Sequence, residues 1–208
     1  MALAAEPDPH TTVSKPEVAV ETHVADSLAA LDLPAPHGAT RIADIGAGPG
    51  FPGLVLAIAL PQAEVDLIES SRRKRDVAER LATAAGVTNA RPIAARVEDW
   101  ARSGEQGREA YDVAAARAVA PLAVLVEYAA PLLRPGGTFV AWKGARDAAE
   151  EGAGARAADQ VGLSLTEVRP VQPFPDAEHR HLHVYSKVRP TPERFPRRSG
   201  MARKRPLA

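Results

Sequence analysis

The sequence predicts an α/β fold, a mostly parallel sheet with helices on both of its faces. From Arg41 onward short apolar runs alternate with longer helical patterns, as in strands joined by crossover helices. The short runs read as mostly apolar rather than alternating, as expected of strands buried on both faces. Glycine and proline punctuate the joins, at Gly46–Gly53, Gly86 and Pro135–Gly137.

A length of 208 residues suits one domain, and 45% hydrophobic residues are enough to bury a core. Residues 1–14, rich in Ala, Pro, Asp and Thr without a period, are expected to form a flexible leader. Residues 15–37 form a short N-terminal helical segment. In it Val20, Val24, Leu28 and Leu31 recur at helical spacing, so a helix is expected over Pro16–Leu31, broken by Pro34–Gly38. The body spans residues 38–188. Its strands are expected at Ile42–Ile45, Val65–Ile68, Arg91–Ala95, Asp112–Ala116 and Thr138–Trp142. Its helices are expected at Pro52–Leu60, Arg72–Ala85, near Pro121–Leu133 and at Ala145–Val161. Two extended stretches follow, near Leu165–Val171 and His181–Lys187.

The longest uninterrupted apolar stretch, Leu54–Leu60, is far short of the ~20 residues that cross a bilayer. The N-terminus lacks a basic start and an apolar run, so no secretory signal is expected there. A cytoplasmic protein without membrane association is expected. There is no cysteine, which excludes disulfides, thiolate metal sites and thiol nucleophiles. The formal net charge of zero hides an asymmetry. Residues 189–208 form a basic tail, and from Lys187 onward Glu193 is the only acid among many Lys and Arg.

In an open α/β sheet the ligand lies beyond the carboxyl ends of the strands. That directs attention to Asp44–Gly53, Glu69–Ser71, Arg96–Asp99 and Ala116–Pro121. In Asp44-Ile45-Gly46-Ala47-Gly48-Pro49-Gly50-Phe51, glycines let the backbone turn sharply and approach a ligand. Gly46 and Gly48 fit the dinucleotide fingerprint, but its third glycine falls on Phe51. The spacing Gly46-x-Gly48-x-Gly50 resembles instead the cofactor loop of class I methyltransferases. Glu69, at the end of the second strand, can accept hydrogen bonds from ribose hydroxyls under either reading. The turn Leu133-Arg134-Pro135-Gly136-Gly137 is similar to one habitual in class I methyltransferases.

Arg41–Gly53, Arg96-Val97-Glu98, Ala116–Leu122 and Trp142-Lys143-Gly144 together resemble the RsmG, or GidB, family of 16S rRNA guanine-N7 methyltransferases. The segment His23-Val24-Ala25-Asp26-Ser27-Leu28 and the C-terminal run from Lys187 to Leu207 are similar to that family too. The resemblance implies a Rossmann-like sheet whose last strand is antiparallel, and S-adenosyl-L-methionine as cofactor. It implies cofactor contacts at Gly46, Gly48, Gly50 and Phe51, an adenine-side pair at Val97 and Glu98, and a further contact at Arg117. Glu69 matches the ribose acid of the wider class. The implied partner is 16S rRNA in the small ribosomal subunit, bound by a monomer that uses no metal. RNA contacts are expected at His23, Lys143, Arg197, Arg198, Arg203, Lys204 and Arg205, with affinity falling steeply as salt rises. The family carries a longer helical region before the His23 segment, so docking that relies on it is expected to be weakened or done differently.

Guanine N7 presents an in-plane lone pair on the major-groove edge. It attacks a sulfonium methyl without first losing a proton, so no general base is expected. Arg117 is expected to orient the target guanine. Each residue has a plainer reading: an ion-pair partner for Arg117, a packed or capping residue for His23, a solvated lysine for Lys143, a disordered end for the tail. The competing functions are a NAD-linked oxidoreductase, a non-catalytic cofactor-binding module and a methyltransferase of another substrate. Lack of a thiol excludes methylation at pyrimidine C5. Ala115-Ala116-Arg117-Ala118 stands where an Asn-Pro-Pro-Tyr motif for exocyclic adenine amines would be.

Overall fold

The apolar runs become a seven-stranded sheet in the order β3-β2-β1-β4-β5-β7-β6. The structure, a computed structural model, describes Leu3, Glu6, Val13 and residues 15–207. The strands are β1 (Arg41–Ile45), β2 (Glu64–Glu69), β3 (Ala90–Ala94), β4 (Tyr111–Arg117), β5 (Leu133–Lys143), β6 (Leu163–Val171) and β7 (Arg180–Lys187). The five strands β1–β5 are parallel, and β7 runs antiparallel between β5 and β6. β1 and β4 carry apolar side chains on both faces because both faces are covered, and Ala114, Ala115 and Ala116 are fully buried.

The helical run α1 (residues 16–32) and the helices α2 (Pro34–His37), α3 (Gly53–Ala59) and α4 (Arg72–Ala84) precede β3. The remaining helices are α5 (Val97–Trp100), α6 (Leu122–Ala129), α7 (Ala148–Val161) and α8 (Met201–Lys204). One core layer joins α1, α3 and α4 to the sheet through Ala30, Leu56, Leu81 and Trp142. The other joins α6 and α7 to it through Leu125, Tyr128, Val161 and Tyr185. The chain thus changes face between β1 and β4, where a crevice opens at the strands' carboxyl ends. At the opposite end, the buried Asp66 carboxylate accepts from Arg91 at 2.8 and 2.9 Å and from the Tyr111 hydroxyl at 2.6 Å.

The strands fall where the apolar runs put them, and four differences have physical causes. Pro34–Gly38 does not break structure: Pro34–His37 is a helical turn, with proline pre-set for a first helical position. The break lies at Leu33, which is extended (ψ 144) because it precedes a proline. The α1 run widens to a π-type turn over Val20–Ala25 and tightens to a 3-10 turn over Ala29–Asp32. The Arg134-Pro135-Gly136-Gly137 turn lies inside β5 as a bulge, between the pairs Tyr111↔Leu133 and Val113↔Thr138.

The fourth difference concerns the basic tail, which folds as an arm against the body. Phe195 and Ala202 are buried in the α6–α7 core layer. Arg108 donates to the Phe195 carbonyl at 2.9 Å and Arg102 to that of Pro196 at 2.7 Å. Arg197 makes a bidentate pair (2.8 and 2.5 Å) with Glu127, a carboxylate 1% exposed on a helix buried along its whole length. Most of the expected leader lies outside the described residues. Of those described, Leu3 packs against the core and Glu6 pairs with Arg80.

Candidate functional site

The site starts from the root of the glycine loop. Asp44 closes β1 fully buried, and its Oδ2 accepts the Gly53 amide at 2.7 Å, fixing where α3 begins. Its Oδ1 has no partner, and burial pushes the carboxyl up to about 7. Gly46 turns with φ +68, and a Cβ there would lie 2.8 Å from Val119 across the crevice. The Gly48 amide donates to Glu69 Oε2 at 3.0 Å, while Glu69 Oε1 takes the Ser71 amide at 2.7 Å. Glu69 therefore ties the loop to the end of β2. A carboxylate has about four lone-pair positions, so capacity for ribose hydroxyls remains.

Gly46 and Glu69 form one wall of a cleft of roughly 220 Å³ that also takes in Val97, Glu98 and Val119. Glu98 is 2% exposed and held from behind, its Oε1 accepting the Gly200 amide at 2.7 Å. Arg203 borders the same cleft, donating to the Val119 carbonyl at 2.9 Å.

Ala118 and Val119 form the ridge between this cleft and a second, of roughly 330 Å³, over the ends of β4 and β5. Ala118 crosses the ridge with φ 56, an uncommon conformation for a residue with a Cβ and one found at functional sites. The second cleft gathers Arg117, Lys143, Arg180 and His181 against Asp26, with Trp142 as an apolar wall. Lys143 pairs with Glu150 at 2.6 Å, and Glu150 also accepts the Leu122 amide that opens α6. The Arg180 Nε is buried without a partner.

The N-terminal segment closes the top of the site. Arg117 donates to the Thr22 carbonyl at 2.9 Å and to Asp26 Oδ2 at 2.8 Å, and it meets His23 Nδ1 at 3.3 Å. Arginine can only donate, so Nδ1 is the accepting nitrogen of His23. Burial, aided by the Arg117 charge, lowers the His23 pKa to about 4, which leaves the ring neutral. The ring stacks on Phe51 at 4.7 Å, and the Arg117 guanidinium lies 5.9 Å from the Phe51 centroid. The Trp142 indole donates to the Asp26 carbonyl at 2.8 Å and pins the segment to β5.

The structure thus brings Gly46, Glu69, Val97 and Glu98 to one cleft. Gly48 supports it through Glu69, whereas Gly50 packs toward Leu54. Phe51 turns to His23, and Arg117 and Lys143 line the second cleft. Of the tail residues, Arg197 is committed to Glu127 and Arg203 faces the first cleft, while Arg198, Lys204 and Arg205 project outward. Tyr128 also lines the first cleft, and Asp26, Arg180 and His181 line the second; the sequence alone does not single out these four as site residues. One signal for the arm was available, since Glu127 in the apolar run Leu122–Ala130 demands a buried partner. Among the described residues, no cluster of His, Cys, Asp and Glu could hold a metal ion, and no helix is long and apolar enough to cross a membrane.

Comparison with known proteins adds to this geometry. The GidB family model, described as rRNA small subunit methyltransferase G, matches residues 10–176. Curated proteins named ribosomal RNA small subunit methyltransferase G are similar over most of the chain. That of Desulfitobacterium hafniense is 38% identical over 197 residues, covering 95% of this chain and 81% of the relative. That of Rubrobacter xylanophilus is 42% identical over 196 residues, covering 93% and 75%. Among solved structures, a SAM-dependent O-methyltransferase from Thermotoga maritima superposes with a TM-score of 0.60 at 19% identity, covering 88% of this chain and 69% of that one. An O-methyltransferase of neocarzinostatin biosynthesis, solved with S-adenosylmethionine, gives 0.57 at 14% identity, covering 71% and 49%. At these identities the structures bear on the fold alone, that of class I methyltransferases.

Proposed function

The chain belongs to the GidB family of small-subunit rRNA methyltransferases, and from that premise we propose that it transfers a methyl group from S-adenosylmethionine to N7 of one guanine in 16S rRNA. We read it as a cytoplasmic monomer acting on the small ribosomal subunit. The observation that carries the reading is the pair of clefts meeting at Ala118–Val119, one bordered by the buried acids Glu69 and Glu98, the other by cations.

The first cleft suits the cofactor. Only a glycine fits opposite Val119, and a carboxylate stands at the end of β2 where a ribose is held in nucleotide-binding α/β folds. Gly46 and Glu69 would hold the ribose side, and Val97 with Glu98 the adenine. When bound, S-adenosylmethionine supplies an electrophilic methyl group on a positively charged sulfur. The second cleft receives the base. Arg117, fixed by three partners, offers a rigid face for O6 or a phosphate, while Lys143 and Arg180 suit the backbone phosphates. N7 needs no proton removed, so neutral His23 is suited to packing rather than to general-base work. Alignment is then the main task, and orientation of this kind is worth about 7–11 kcal/mol of barrier. Such a target requires an exposed or extruded base.

The test is methyl transfer from labelled S-adenosylmethionine to unmethylated small subunits, with N7-methylguanine mapped by chemical cleavage. A single modified guanine in 16S rRNA is expected. Cofactor binding without any label in rRNA would refute the substrate assignment.

A further inference from the structure

The positive charge of residues 189–208 suggests RNA, yet the arm's best-anchored stretch turns toward the cofactor cleft. Three contacts hold it there. Arg197 grips buried Glu127, Ser199 Oγ donates to Asp99 Oδ1 at 2.6 Å, and the Gly200 amide donates to Glu98 Oε1 at 2.7 Å. Gly200, with φ +84, then turns the chain into α8. One helical turn delivers Arg203 to the cleft, where its guanidinium reaches the Val119 carbonyl on the ridge at 2.9 Å. Arg203 thereby bridges the arm and the ridge at the end of the cleft formed by Val97 and Glu98. Its neighbours Lys204 and Arg205 are exposed and are absent from that lining.

We infer that the arm is a wall of the cofactor cleft: Arg203 covers the adenine as a planar stacking partner, and Gly200 positions Glu98. A guanidinium presents a flat, weakly hydrated face that stacks on an aromatic ring, which a lysine ammonium cannot do. This rests on the methyltransferase reading, because it takes the first cleft to hold an adenosine group.

The experiment measures binding of S-adenosylhomocysteine, and separately of adenosine, to the full chain by calorimetry without RNA. Arg203→Ala is expected to weaken both ligands by at least about threefold, within the range of a cation–π contact at an exposed site. Arg203→Lys, which keeps the charge but not the plane, should recover less than half of that loss, and Lys204→Ala should leave both affinities unchanged. Arg203 is exposed, so melting temperatures are expected to stay at the wild-type value. A smaller loss in Arg203→Ala, full rescue by Arg203→Lys, or a loss for S-adenosylhomocysteine but not adenosine would overturn the inference. Failure of the wild-type chain to bind either ligand would overturn the methyltransferase reading itself.

Discussion

Arg117→Ala removes three hydrogen bonds at once, from the Thr22 carbonyl, Asp26 Oδ2 and His23 Nδ1. The Arg117 and Asp26 side chains are only 14% and 11% exposed, so water can do little for the partner left behind. Asp26 Oδ1 already lacks a partner, so the stranded carboxylate has no nearby substitute. Breaking a buried pair from one side costs about 3–5 kcal/mol, and slight exposure sets the expectation at the lower end, about 3 kcal/mol. Asp26→Ala should cost somewhat less, because Arg117 keeps the Thr22 carbonyl. The double variant should cost less than the sum of the two, with a coupling of at least about 1 kcal/mol. Urea unfolding gives the three values, and hydrogen exchange locates the loss, expected over residues 16–28 while β1 and β4 stay protected. Additivity within about 0.5 kcal/mol, or a loss of protection spread evenly over the sheet, would refute the reasoning. The same Arg117→Ala protein should methylate at least about tenfold more slowly, as expected when an orienting group is lost.

Gly46→Ala should weaken S-adenosylhomocysteine binding by about tenfold or more, because its Cβ lies 2.8 Å from Val119. Gly48→Ala meets nothing within 4 Å and is expected to show only a backbone cost of about 1 kcal/mol in urea unfolding. Two acid–base groups in the site act with opposite sign. His23 titrates at about 4 when folded against 6.5 when exposed, so its contribution to stability falls as pH drops through that window. Asp44 holds its proton up to about 7 against 3.8 when exposed, so its contribution falls as pH rises through that window. Because the two windows overlap, the whole-protein profile conceals both, and the differences of His23→Gln and Asp44→Asn from wild type should slope in opposite directions. Finally, Arg197→Ala strands buried Glu127 and should cost about 3–5 kcal/mol. Arg198→Ala and Arg205→Ala should instead leave stability unchanged and lower the salt dependence of RNA binding, each by about one phosphate contact; equal destabilisation by all three would contradict the folded arm.

What the sequence shows well is whatever burial writes into it locally. β1, β2 and β4 are mostly apolar because helices cover both faces, and the glycine loop is legible because Gly46 must leave room for Val119. Contacts between distant segments leave fainter marks. The pairing of Arg117 with Asp26 joins residues 91 positions apart, and nothing near Arg117 announces that partner. Phe51 sits where the cofactor loop predicts a cofactor contact, and nothing near it in the sequence announces that its ring stacks on His23. The charge of residues 189–208 reads as a solvated tail because composition counts Arg197 and Arg198 alike. Only the fold separates the one that neutralises Glu127 from the one that faces out.

The arm also sets an order in time. A ribosome makes β1, β2 and β4, with the acids and glycines of the first cleft, well before it reaches Arg189. At about 5–20 residues per second, the stretch from Arg189 to Arg203 takes roughly 1–3 s to synthesise. Until then Glu127 has no cation and Glu98 no amide from Gly200. The nascent chain therefore carries the acids and glycines of the first cleft before it carries the residues that pair with Glu127 and Glu98.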